Sequence, residues 1–249
     1  MLKFSEANAK TQNLAKVPRL KRYLAGGNKV YSFDLPAGWS CPFARDCQAK
    51  VYVENGRRWL EDGPHTKFRC FSASQEVAFP NVWDARQHNF NRLRGLHLND
   101  MIRCIDKSIP SNMGICRLHV SGDFFSPDYM FAWINMAMKY RYILFYAYTK
   151  SLTYWVKWKE YVDILPNLVL TASCGGVNDK LIRSHKLRYA KVVYSKWQAR
   201  KLHLPIDHDD SHAATNGGNF ALLIHGIQPA GSKEGKAVRK LQGAGSYSR

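Results

Sequence analysis

Short apolar runs alternate with helical segments through the second half of this chain, and each run stops at a polar or glycine-containing break. The run 115–120 ends at Ser121-Gly122-Asp123, 142–148 ends at Thr149-Lys150, and 168–172 ends at Ser173-Cys174-Gly175-Gly176. Two further runs lie at 190–194 and 220–225, and an earlier one at 29–36, which makes six strands. Short apolar strands separated by helices predict an α/β fold with a parallel sheet. The helix after Ser121-Gly122-Asp123 has a defined start, with Ser126 as N-cap and Pro127 as its first residue. Helices are also expected at 154–161, stopped by Pro166, at 180–185 and at 196–201. Upstream, 74–109 is helical in pattern, broken at Pro80-Asn81, with Leu93, Leu96, Met101, Ile102 and Ile105 on its apolar face. In such folds ligands gather at the C-terminal ends of the strands, where the polar breaks fall.

The first strand runs directly into a loop bearing Cys41 and Cys47, separated by five residues. Cys70 follows after an insertion with a hairpin turn signal, Asn55-Gly56, between apolar runs 50–53 and 58–60. A hairpin brings its two ends together, so it can return Cys70 to the cysteine loop. Thiolates on a loop after a strand suit an iron–sulfur cluster or a zinc ion. A zinc site takes its fourth ligand from His65, His119 or His225. Cys104 and Cys116 fall on apolar helix and strand positions and read as core thiols.

The charge balance is strongly positive. There are 37 Lys+Arg against 19 Asp+Glu, a formal net charge of +18. That excess favours a polyanionic partner, most simply DNA or RNA. Basic residues recur beside aromatics at Arg57-Arg58-Trp59, at 154–159 and at 196–201, a pairing that suits bases and phosphates. No apolar stretch is long enough for a membrane span, and the N-terminus carries no apolar signal segment. The expected location is therefore cytoplasmic, where six cysteines serve as thiols or ligands in preference to disulfides.

Several motifs, taken in order, resemble the phage "gene product 88" family. They are Leu35-Pro36-Ala37-Gly38, Ser40-Cys41-Pro42, the segment from His119 to Phe124, Tyr148-Thr149-Lys150-Ser151, and the segment from Leu222 to Ser232. The resemblance covers roughly 25–249 and implies a phage protein in the host cytosol. A more distant resemblance is to radical S-adenosylmethionine (SAM) enzymes. It implies a partial (β/α)6 barrel with parallel strands and outer helices. It also implies a 4Fe–4S cluster on a three-cysteine loop after strand one, with SAM at the following strand ends. On that pattern Cys41, Cys47 and Cys70 hold the cluster, and Ser121, Gly122, Asp123, Thr149, Lys150 and Ser173 line the SAM pocket. The family spacing is Cys-x3-Cys-x2-Cys, from which this chain departs.

On the substrate side, Asp123, His225 and Arg117 are the catalytic candidates. Asp123 offers a carboxylate at a strand end, and His225 an acid or base. Arg117 and His119 alternate on one strand and are expected to share a face. The acidic run Asp207-His208-Asp209-Asp210 reads as a solvated loop or a divalent-cation site. The expected organisation is a basic segment 1–28 and one α/β domain at 29–230 with the cysteine loop and hairpin at 37–70. A flexible basic tail at 231–249 completes it. Two functions are open: an iron–sulfur, SAM-dependent enzyme modifying a nucleic acid, nucleotide or protein, and a non-enzymatic phage protein that binds nucleic acid or a host protein around a zinc or cluster site.

Overall fold

The computed structural model describes residues 1–244. Its centre is a seven-stranded sheet built from β1 (Phe4–Glu6), β2 (Lys29–Phe33), β5 (Met113–Leu118), β6 (Leu144–Thr149), β7 (Leu168–Ser173), β8 (Tyr189–Val193) and β9 (Phe220–Leu223), in that spatial order. The remaining strands, β3 (Ala49–Glu54) and β4 (Arg57–Asp62), form a separate antiparallel hairpin. From β2 to β9 every neighbouring pair is parallel; only β1 is antiparallel to its neighbour. The register sets Val30 beside Ile115, Ile115 beside Leu144, and Tyr146 beside Val169. The sheet is open, since β1 and β9 are its two edges.

The helices follow the sequence rhythm. They are α1 (Ala9–Gln12), α2 (Phe71–Ala78), α3 (Pro80–Leu93), α4 (Leu98–Asp106), α5 (Pro127–Lys139), α6 (Leu152–Lys157), α7 (Lys159–Asp163), α8 (Lys180–Ser184), α9 (Lys196–Lys201), α10 (Ser211–Thr215) and α11 (Lys233–Gly243). Ser126 caps α5 as expected, its Oγ accepting from the Tyr129 backbone N–H at 3.1 Å. Strand order never reverses after β2, and parallel crossovers are right-handed, so helices α3 to α8 fall on one face. There Trp133, Tyr129, Met130 and Ile134 of α5 pack with Phe33, Leu118 and Phe145, and Leu152, Trp155 and Val162 continue the layer. The opposite face is covered by other material. Leu14, Leu20 and Tyr23 from 3-10 turns and Ala213 and Ala214 of α10 pack against Val30, Ile115, Tyr146 and Val169.

Four details differ from the sequence expectation. The first 28 residues are not merely a basic preface, because they supply β1 and part of the core. Lys16, Arg19, Lys21 and Arg22 within them do remain exposed. The 154–161 helix is two pieces, α6 and α7, and the last strand stops at Leu223, before His225. The tail is ordered as α11 through Gly243, because Val238 and Leu241 bury an apolar stripe beside Val193 and Leu223. Positions 245–249 of that expected tail lie outside the described residues. Among the described residues no helix is long and apolar enough to cross a membrane.

Candidate cofactor site at the ends of the parallel strands

The cysteine loop leaves β2 and is fastened at a distance. Arg45 and Asp46 donate their backbone N–H groups to the Gly175 carbonyl at 3.3 and 2.9 Å, and Val177 N–H donates to the Phe43 carbonyl at 3.0 Å. Gly175 has φ of +98°, and a Cβ there would lie 2.9 Å from Asp46 Cβ. A side chain at that position would push the two loops apart. Cys47 leads within two residues into β3. The hairpin then closes, with Gly63 N–H donating to the Gln48 carbonyl at 2.8 Å. Lys67 and Phe68 donate backbone N–H groups to the Asp46 carbonyl at 2.8 and 3.1 Å, which brings the returning chain back to the loop. Cys70 then sits at the N-terminus of α2.

This wiring places the three thiols within reach of one another's charge. Burial pushes the Cys41 thiol well above its ordinary range, and Asp123, Cys70 and Cys47 push it further. Cys70 is pushed up to about 11 by burial and then by Cys47. Lys150 faces the same group. Burial pulls its ammonium down, but Cys47, Asp123, Cys41 and Cys70 outweigh that and raise it. Lys150 Nζ also donates to Ser173 Oγ at 2.6 Å. Cys174 stands nearby, pushed up to about 11 by burial and Asp179, with Lys150 opposing. Cys116 is in the main core and Cys104 packs against it.

Among the described residues, no three His, Cys, Asp or Glu side chains are gathered tightly enough to grip one metal ion. A single zinc ion at 2.3 Å from each sulfur holds its thiolates about 3.8 Å apart. A cube of irons spreads three thiolates over three corners and so spaces them more widely. The elevated thiols also mean that any metal must displace protons on binding.

Asp123 is buried and well supplied with donors. Its Oδ1 accepts from Thr149 Oγ1 at 2.6 Å and Phe124 N–H at 2.7 Å, and its Oδ2 accepts from Lys150 N–H at 2.7 Å. Burial raises it, against those bonds. The carboxylate therefore ties the end of β6 to the segment after β5. Ser121 Oγ donates to Glu76 Oε1 at 2.9 Å, and its N–H donates to Asp34 Oδ1 at 3.2 Å. Gly122, at φ +88°, interlocks the two strand ends: a Cβ would lie 2.6 Å from Leu35 Cβ and from Ser40 Oγ. Thus Gly122, Asp123, Thr149, Lys150 and Ser173 share one region with the thiols, and Ser121 faces Glu76.

Of the catalytic candidates, Arg117 is engaged away from the thiols and His225 lies beside the Cys70 segment. Arg117 forms a buried ion pair with Asp210, and its guanidinium lies 5.3 Å from the Tyr148 ring centroid. His119 does not share the Arg117 face. Its φ of +66° turns it, and its Nε2 meets the Tyr129 hydroxyl at 2.9 Å on the helix side. His225 Nδ1 donates to the Leu223 carbonyl at 3.1 Å, and its ring packs on Phe71, next to Cys70. The acidic run 207–210 is not a solvated loop, because Asp207 and Asp210 are buried.

Sequence reasoning missed Glu76, which is fully buried on α2. Its Oε1 accepts from Ala37 N–H, Arg86 and Ser121 at 3.0, 3.0 and 2.9 Å. It joins the cysteine loop, α3 and the end of β5. Nothing in the local sequence distinguishes it from a solvated glutamate.

The family model for Gene product 88 matches residues 2–241. Two "Gene 88 protein" relatives, from Mycobacterium phages D29 and L5, are each 28% identical over 162 residues, or 59% of this chain. The match spans 60% of each relative's length. No solved structure matches. With nearly its whole described length accounted for by that family model, the chain belongs to the Gene product 88 family.

Proposed function

We propose that this is a phage-type iron–sulfur enzyme in which Cys41, Cys47 and Cys70 would hold a 4Fe–4S cluster that acts on SAM. The carrying observation is that backbone bonds return the Cys70 segment to the Cys41–Cys47 loop, beside Lys150, where parallel strands end. Six parallel strands in unbroken order, with most of the connecting helices on one face, support the finer reading as a partial (β/α)6 barrel like that of radical SAM enzymes. When bound, the cluster supplies one electron for reductive cleavage of SAM, and the chain provides placement and shelter. Lys150, oriented by Ser173, offsets the negative charge of the thiolates. Asp123 fixes the backbone of Phe124 and Lys150, so the strand ends keep one geometry. Glu76 anchors the loop from behind through Ala37. The substrate class is a nucleic acid, nucleotide or protein side chain.

Anaerobic purification with iron and sulfide analysis tests this. About four irons per chain are expected, with release of 5′-deoxyadenosine from SAM on reduction. Cys41→Ala, Cys47→Ala and Cys70→Ala each lose the iron, and Cys104→Ala keeps it. A chain that carries one zinc and leaves SAM intact overturns the proposal.

A further inference from the structure

We propose that the outer face of the β3–β4 hairpin is a stacking platform for single-stranded nucleic acid, which names the substrate class of the thiol site and rests on the iron–sulfur reading for that link. The hairpin has two unlike faces. Ala49 and Val51 point inward and are buried with Ala37 and Ala73. The outward positions carry Lys50, Tyr52 and Glu54 on one strand and Arg57, Trp59 and Glu61 on the other. Tyr52 and Trp59 are directly opposed in register, with rings stacked 5.7 Å apart at 17°. Trp39 from the cysteine loop extends the row, its ring edge-on to Tyr52 at 5.3 Å, and it is 42% exposed. Lys50 Nζ lies 4.6 Å from the Trp39 ring centroid.

An aromatic row on the outward face does nothing for the hairpin's attachment to α2, which the inward face provides. Planar rings with an adjacent ammonium match bases joined by phosphates. The formal charge of +18 supplies the long-range attraction that an anionic strand needs. Each carboxylate on this face has a cation directly opposite it in register, Glu54 facing Arg57 and Glu61 facing Lys50, and Glu61 also accepts from Trp59 Nε1 at 3.1 Å, so the local acids are offset and the chain's overall positive charge supplies the attraction. A duplex hides its base faces, so the ligand is single-stranded. Trp39 is two residues from Cys41, and β3 begins two residues after Cys47. A strand stacked here therefore lies beside the thiols.

The test uses fluorescein-labelled oligo-dT, oligo-rU and a duplex, with anisotropy read at low and high salt. The full chain is used both as purified anaerobically and after metal removal by chelation. Single strands are expected to bind more tightly than duplex. Trp59→Leu and Trp39→Ala each weaken binding roughly tenfold, with the melting temperature held, and Trp59→Phe restores binding. Lys50→Met lowers the salt dependence by about one phosphate contact. Equal affinity of the folded tryptophan variants, or a preference for duplex, overturns the platform. Aromatic-dependent binding by a chain that carries no iron leaves the platform standing and sinks the cofactor reading. Four irons with no oligonucleotide bound does the reverse.

Discussion

The two faces of the sheet are built on different principles. The helix-covered face is almost wholly apolar, with Phe33, Leu118, Phe145, Tyr129 and Trp133 closing on one another. The other face buries charge. Arg117 pairs with Asp210, the Tyr146 hydroxyl donates to the same Asp210 oxygen at 3.2 Å, and Arg188 donates to Thr171 and to the carbonyls of His212 and Ala213. Burial raises Tyr146 and Tyr148 well above the ordinary tyrosine range, with Asp210 adding to it, so both stay protonated. Apolar packing is stabilising and forgiving of shape-conserving change, whereas a buried ion pair gains little over an apolar substitute and is costly to break. The first face supplies stability. The second fixes how the α10 segment seats across the strands.

The sharpest challenge to that contrast is on the packed face. Trp133→Ala should cost about 4 kcal/mol, read from urea unfolding. Arg117→Met should cost about 3 kcal/mol because it leaves Asp210 buried without its cation, and adding Asp210→Asn should recover at least half of the loss. If the single variant is as mild as a surface change, the faces do not differ in kind.

The third test is acid titration. His119 is buried, and burial lowers its pKa to about 3 from 6.5. The unfolded chain binds the extra proton first, so this stabilisation is complete above pH 6.5 and is lost as pH falls toward 3. Between pH 8 and pH 5 the loss is about 2 kcal/mol, and His119→Phe should flatten that limb of the stability profile. The smallest effect belongs to a helix end. Ser126→Ala removes the α5 cap and should cost about 1 kcal/mol.

The sequence made the strand ends legible because each apolar run stops at a residue type that a buried sheet excludes. It also made the hairpin legible, since Asn55-Gly56 sits between two apolar runs, and with it the return of Cys70. It did not reveal partners that meet only through the fold. Arg117 and Asp210 are 93 residues apart, and no local pattern links them. β1 has three residues, two of them exposed, too few to show a period. His119 was misplaced because alternation assumes an extended backbone, and its φ is positive. The donors to Asp123, Thr149 and Lys150, arrive from the next strand, where no local pattern announces them.

The clasp between the cysteine loop and the Gly175–Val177 turn sets an order of events during synthesis. Cys70 leaves the ribosome 105 residues before Gly175. Through that interval the nascent chain displays its thiols without the backstop that later holds them. On the iron–sulfur proposal, the cluster would therefore be either handed to an unfinished protein or admitted after the Gly175–Val177 turn has docked.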